Sequence, residues 1–180
     1  YKIGVDIFND ITAFKEKNKI DFISKTASPI IIMHMQKEPI NMQINPKYSF
    51  APIDIYKFFS KKIIDLTGAG VKKSNIVVDP GIGFGKTLSD NLNLLKYLPL
   101  FHVLGVPILI GASRKSLIAE LTIHDYKLRG KNKKKIIPSK RLSGSLAFAI
   151  HANMCGVQIL RTHDVFETNQ ALICQKSLHL

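Results

Sequence analysis

Five short apolar, β-branched segments recur along the chain, and each ends in polar residues: IGVDIFND (Ile3 to Asp10), PIIIMHM (Pro29 to Met35), NIVVDP (Asn75 to Pro80), VPILIGAS (Val106 to Ser113) and VQILRTHD (Val157 to Asp164). Continuous apolar runs of this kind read as strands covered on both faces, the condition of a parallel sheet overlaid by helices. The intervening segments have helical periodicity. APIDIYKFFSKKIIDLTGAG (Ala51 to Gly70) is the clearest, and it closes on glycine as a helix C-terminus should. The pattern predicts a parallel α/β architecture. Its polar residues gather at the strand C-termini: Asn9 and Asp10, His34, Asp79, Ser113 to Lys115, and Arg161 with His163. That edge carries the ligand site in barrels and in doubly wound sheets alike, so spacing alone leaves both architectures open.

A chain of 180 residues with 46% hydrophobic composition is long enough for one domain, residues 1–180, with a real core. The formal charge of +13 would suit nucleic acid, but 22 of its 26 basic residues are Lys and four are Arg, the better fork for phosphates. Thr122 to Lys140 carries seven Lys or Arg against one Asp, so this stretch supplies +6 of the +13. It reads as a flexible basic loop insertion, without the interleaved aromatics of a nucleic-acid module. Cys155 and Cys174 lack the spacing of a metal cluster and fit a reducing, cytoplasmic compartment. No apolar run approaches the roughly eighteen residues of a membrane span. The chain opens within a strand segment at Tyr1, which suggests that upstream units belong with it.

VVDPGIGFGKT (Val77 to Thr87) ends like a phosphate-binding loop. Such a loop needs glycine five positions before the glycine of the Gly-Lys pair, where this chain has Pro80, which lacks an N–H and fixes φ. The nucleotide triphosphate reading is therefore rejected. What remains is a carboxylate, Asp79, at a strand end beside Gly81, Gly83 and Gly85, which let a ligand approach the backbone closely. Asp79 either caps the next turn or accepts two parallel hydrogen bonds from a ring N–H and an exocyclic amine, the fork that guanidinium also presents. The second role favours a heterocycle, to which Asn9 can add both a donor and an acceptor.

In GASRKSLI (Gly111 to Ile118) the small Gly111 and Ala112 leave room for Lys115 to reach a ligand carbonyl or ring nitrogen; a solvated basic turn is the alternative. In LRTHDVFET (Leu160 to Thr168), Arg161 and His163 precede a helix starting near Asp164, where free N–H groups favour an anion such as a phosphate leaving group. No Ser/His/Asp triad, CxxC or HExxH pattern points to hydrolysis or zinc.

Taken in order, NDIT, MHMQ, DPGIGFGKTLSDNLNLL, IGASRKSLI, RLSGSLA and RTHDVFET resemble the motifs of the dihydropteroate synthase family over nearly the whole chain except Thr122 to Lys140. The resemblance implies part of a (β/α)8 TIM barrel, about its last five βα units. It also implies condensation of 6-hydroxymethyl-7,8-dihydropterin diphosphate with p-aminobenzoate to give 7,8-dihydropteroate and diphosphate, in an enzyme that is a sulfonamide target. By similarity Asn9, Asp79 and Lys115 hold the pterin. Arg161 packs over the ring and, with the Thr162 backbone and His163, binds diphosphate; Phe84 and Ser113 border the aminobenzoate site. Lys115, Arg161 and His163 are the expected catalytic residues. The resemblance brings an expectation of Mg2+, whose protein ligand would lie upstream of residue 1, as would a mobile Thr-Arg loop. No metal ligand is expected within residues 1–180. The partners it implies are small-molecule substrates, with a homodimer or an upstream barrel fragment as protein partner, and neither nucleic acid nor membrane.

Two departures from the family pattern bear on this reading. Five of eight strands are present, and Lys37 stands after MHMQ where the family often has glycine, which implies an altered loop shape. A truncated non-catalytic pterin-binding remnant is the alternative to an active synthase. A pterin-dependent methyltransfer domain would share the Asn and Asp strand ends but is not expected to carry Ser113 to Ser116.

Overall fold

The computed structural model describes residues 4–132 and 134–178. Five parallel strands follow one another in space in the order of the sequence: β1 (Phe8–Asp10), β2 (Ile30–Met33), β3 (Ile76–Asp79), β4 (Leu109–Ile110) and β5 (Ile159–Leu160). A parallel bridge from Val78 to Ile108 joins β3 to β4. The order never reverses, so the sheet lacks the switch point of a doubly wound fold and has the succession of a barrel. All five sequence segments contain a strand, although Ile3 lies outside the described residues. The strands are shorter than the apolar runs because their ends are given over to the loops that build the site.

Pleating divides each strand between two layers. Ile30, Ile32, Ile76, Val78, Ile108 and Ile110 face the main core with the helices, while Ile31, Val77 and Leu109 pack with Ile159 in a second cluster on the other face. The continuous apolar runs thus serve two buried faces. The outer layer comprises α1 (Lys17–Ser24), α2 (Ala51–Gly68), α3 (Leu88–Lys96), α4 (Ser116–Leu128), α5 (Leu142–Met154) and α6 (Val165–Ser177). In α2, Pro52 stands where the helix needs no N–H, and Ile55, Phe59, Ile63 and Leu66 form the buried stripe at helical spacing. In α3, Thr87 and Asp90 close a reciprocal capping box that fixes where the glycine loop stops and the helix starts. Among the described residues no helix is long and apolar enough to cross a membrane.

The basic loop is shorter than the sequence suggests. Residues 122–128 continue α4, because no breaker occurs before Gly130 and Thr122 hydrogen-bonds back to the Ile118 carbonyl. Arg129 pairs with Asp125 one turn earlier, and residues 138–140 form a 3-10 turn. The irregular part is therefore 129–137, with Lys133 outside the described residues. Ile136 is buried, so this connection is also anchored to the body. Lys37 adopts φ +60°, the left-handed conformation that glycine takes without penalty.

α5 meets α4 at Gly144, where a Cβ would overlap the Ile118 side chain. Gly144→Ala gains up to about 1 kcal/mol of helix propensity. Overpacking against a buried, immobile partner costs about 1–3 kcal/mol. The expected outcome is net destabilisation in equilibrium denaturant unfolding, where propensity alone would give a gain.

Candidate functional site

Strand register decides which strand-end residues meet. Val78 is level with Ile108, so Asp79 is level with Leu109, and Ile110 is level with Leu160, so Gly111 is level with Arg161. By the pleat, Asp79, Gly111 and Arg161 all point to the face that carries Ile31, Val77 and Leu109. Arg161 starts one pleat farther along and comes back across Gly111 to place Nη2 2.6 Å from Asp79 Oδ2. Gly111 has to be glycine for this: a Cβ there would lie 3.1 Å from that same Nη2. The space that the sequence assigns to Lys115 is thus taken by Arg161. Lys115 finds its room over Gly83, where a Cβ would lie 3.3 Å from Lys115 Cδ.

Asp79 is 1% exposed, and its other oxygen accepts from the Gly81 N–H at 2.8 Å. Burial drives its carboxyl above the ordinary value, opposed by the Arg161 charge and the Gly81 N–H. The Arg161 side chain is 44% exposed, so the guanidinium is the partner that can leave. Lys115 carries its ammonium 4.1 Å from the Phe84 ring centroid, and burial lowers its pKa. Ser113 Oγ accepts from the His163 backbone N–H at 3.2 Å and lies 3.0 Å from His163 Nδ1. Ser113 Oγ thus fixes the orientation of the His163 ring beside the cavity.

Asn9, Phe84, Ser113, Lys115, Arg161, Thr162 and His163 line one cavity of about 340 Å³ with Ile11, Met33 and Gly111. All of the site residues read from the sequence therefore converge except Asp79, which lies beneath the Arg161 guanidinium as the floor under a lid. Asn9 has no side-chain hydrogen-bond partner among the described residues. Another hollow of about 380 Å³, beside α1, is lined by Phe8, Phe14 and Phe22 with Asp10 and Lys19. Asp10 is engaged there in its own turn, accepting from the Thr12 N–H on Oδ1 and from the Thr12 hydroxyl and Phe14 N–H on Oδ2.

Several positioning residues are invisible to motif reading. Arg114 has φ +56°, and this left-handed turn sets Ser113 and Lys115 on the same cavity. Three groups hold it: Ser145 Oγ accepts its N–H at 2.9 Å, Arg141 donates to its carbonyl at 2.8 Å, and Asp164 pairs with its guanidinium. RLSGSLA is thus the brace of the SRK turn. Asp164 stands at the N-cap of α6, where the sequence places the helix start, but its carboxylate makes no capping bond and ties the β4 and β5 loops together through Arg114, which holds its pKa below the ordinary value. His34 shares the strand-end pattern but is buried behind the loop after β3, with its Nδ1 3.3 Å from Lys86 Nζ. Burial, then the Lys86 charge, lower its pKa to about 3. Among the described residues no group of three His, Cys, Asp or Glu could hold a metal ion.

A family model described as "Pterin binding enzyme" matches residues 1–163. Dihydropteroate synthase of Escherichia coli K12 is 40% identical over 171 residues, which cover 95% of this chain and 56% of that protein. A Yersinia pestis dihydropteroate synthase structure with a sulfonamide drug complex matches with TM-score 0.86 at 36% identity, covering 99% of this chain and 60% of that one. The Xanthomonas albilineans dihydropteroate synthase in complex with 7,8-dihydropteroate matches with TM-score 0.82 at 31% identity, covering 99% of this chain and 62% of that one. The chain thus spans a little over half the length of these relatives. The likeness makes its five βα units part of a (β/α)8 barrel.

The state of His34 predicts acid lability. Its folded pKa is about 3 against 6.5 ordinarily, so the unfolded chain takes up a proton there that the folded chain refuses. Folded stability is full above 6.5 and falls as pH drops towards 3, at up to about 1.4 kcal/mol per pH unit. His34→Gln should remove this part of the slope when unfolding is followed by denaturant titration between pH 7 and 5. An unchanged slope would place the acid lability elsewhere.

Proposed function

We propose, from the premise that the chain belongs to the pterin binding enzyme family, that it forms the pterin- and diphosphate-binding part of a dihydropteroate synthase. The reaction joins p-aminobenzoate to the methylene carbon of 6-hydroxymethyl-7,8-dihydropterin diphosphate. The observation that carries this reading is the buried Asp79 carboxylate, turned into the barrel mouth and covered by a guanidinium of the same shape as the hydrogen-bonding edge of a pterin. A 2-amino-4-oxopteridine presents a ring N–H and an amine in parallel, as guanidinium does. Pterin entry then puts a two-donor fork in place of the single Arg161 Nη2 contact, and Arg161 is displaced from Asp79 Oδ2.

The released Arg161 lies beside the Thr162 backbone and His163, just before the N-terminus of α6, where positive potential favours a diphosphate. Lys115 meets the ring carbonyl or a ring nitrogen, Asn9 adds a donor and an acceptor, and Phe84 and Ser113 border the aminobenzoate. The C–O bond to diphosphate breaks as the C–N bond to the amine forms. Diphosphate leaves with the bonding electrons, and the amine gives up a proton. Because the dihydropterin stabilises positive charge at its methylene carbon, the protein contributes positioning and leaving-group electrostatics instead of a nucleophile.

The family implies Mg2+, but the described residues do not fit a magnesium site. The site's own charged groups are Lys115, Arg161 and the Asp79 already held by Arg161 and Gly81. Its ligand is assigned to barrel units outside this chain, which are also its expected protein partner. The unpaired Cys155 and Cys174 agree with a cytoplasmic setting.

Asp79→Asn tests the reading. It sets an amide donor against a ligand donor and removes a charged acceptor, at a cost of roughly 2–4 kcal/mol in pterin binding. Calorimetric titration of the complete protein with pterin should show that loss, and dihydropteroate formation should fall with it. Unchanged affinity would return Asp79 to a turn-capping role.

A further inference from the structure

Gly85-Lys86-Thr87 imitates the end of a phosphate-binding loop, and the structure gives it the opposite polarity. In a phosphate loop successive backbone N–H groups converge on an anion. Here backbone carbonyls converge on a cation. Lys86 Nζ donates to the carbonyls of Phe84 at 2.8 Å, Gly81 at 2.9 Å and His34 at 3.2 Å, with His34 Nδ1 as a fourth acceptor at 3.3 Å. An ammonium has three N–H bonds, so these partners saturate it. Lys86 is 4% exposed, and among the described residues no carboxylate lies within ion-pair distance of it. Carbonyl dipoles compensate the charge at close range; burial lowers the Lys86 pKa to about 7, opposed through space by Asp79 and Asp90.

A lysine so placed could be no more than a satisfied core residue. What distinguishes it is the segment that it fixes. Gly81, Gly83 and Gly85 take φ of +71°, +82° and +58°, so three residues in five depend on glycine's freedom, and holding each in place costs chain entropy. The same segment supplies the Gly81 N–H that holds Asp79 Oδ1 and the Phe84 ring beneath the Lys115 ammonium. Two of the carbonyls on Lys86 belong to these same two residues, and the third belongs to the end of β2. The ammonium is thus a single point joining the β2 end to both functional positions of the loop.

We propose that Lys86 is a positioning residue for the pterin site, its buried ammonium fixing the glycine loop and, through it, the Asp79 carboxylate and the Phe84 ring. The proposal rests on the reading of Asp79 as the acceptor of the pterin fork. It acts on ground-state binding, because the residues that meet the diphosphate lie on the β5 loop.

The test is Lys86→Met in the complete protein, which keeps the length of the stem and removes the charge and donors. Calorimetric titration with pterin should show Kd raised about tenfold or more. KM for the dihydropterin diphosphate should rise in parallel while kcat at saturation holds. Ile63→Ala, in the buried stripe of α2, serves as a control for general destabilisation and should bind pterin as the parent does. Lys86→Met with parent-like affinity, or Ile63→Ala with an equal loss, would overturn the proposal. Asp79→Asn run alongside separates the claims. Lost affinity there with parent-like affinity in Lys86→Met overturns the Lys86 role alone, whereas parent-like affinity in Asp79→Asn overturns the reading beneath it. Should Lys86→Met fail to fold, amide hydrogen exchange on the parent decides. Protection of residues 81–85 that increases with pterin supports the clamp, and exchange at the rate of an open loop refutes it.

Discussion

A carboxylate at 1% exposure needs partners that survive without water, and in this barrel the arrangement of the site follows from how Asp79 gets them. One oxygen is held by the Gly81 N–H and the other by a guanidinium that reaches across a glycine from the next strand but one. The first partner is fixed backbone and the second is a half-exposed side chain. That asymmetry is what the proposed binding role draws on: one contact fixes the carboxylate through the backbone, and the other is a side chain that a ligand presenting two parallel donors could replace.

Two loops in left-handed conformations flank this pair, and they are stabilised differently. The turn at Arg114 is braced from outside, by Arg141 at the N-cap of α5, by Ser145 in its first turn and by Asp164 of the β5 loop. The glycine loop after β3 is braced from inside, by Lys86 folded back into its own carbonyls. Neither brace lies on the cavity wall, yet together they set where Ser113, Lys115 and Phe84 stand on it.

Much of this was legible in the sequence. The five apolar runs give the strands, their polar ends give the site edge, and Pro80 alone removes the nucleotide reading. Seven of the eight candidate site residues line one cavity: Asn9, Ser113, Lys115, Arg161 and His163 are legible from their places at or just after strand ends, and Phe84 and Thr162 only through the family resemblance. What required the structure was stagger and burial. The stagger between β3 and β5 sends Arg161 to Asp79 and assigns Gly111 to Arg161 instead of Lys115. His34 and Asp79 look alike as strand-end polar residues, but the first faces the back of the glycine loop and the second faces the barrel mouth. Lys86 is a surface residue by composition and a core residue by position, and only the carbonyls around it reveal which. The basic stretch after Leu121 reads as a loop in the sequence because its charge conceals a helix that runs to Leu128.

The exchange of Arg161 for a pterin at Asp79 is the central claim, and a crystal structure of the complete protein with pterin bound tests it most directly. The account predicts the pterin amine and ring N–H on the two Asp79 oxygens at ordinary hydrogen-bond distance, with the Arg161 guanidinium moved off Oδ2 towards His163. A bound pterin that leaves the Arg161–Asp79 pair intact would contradict it.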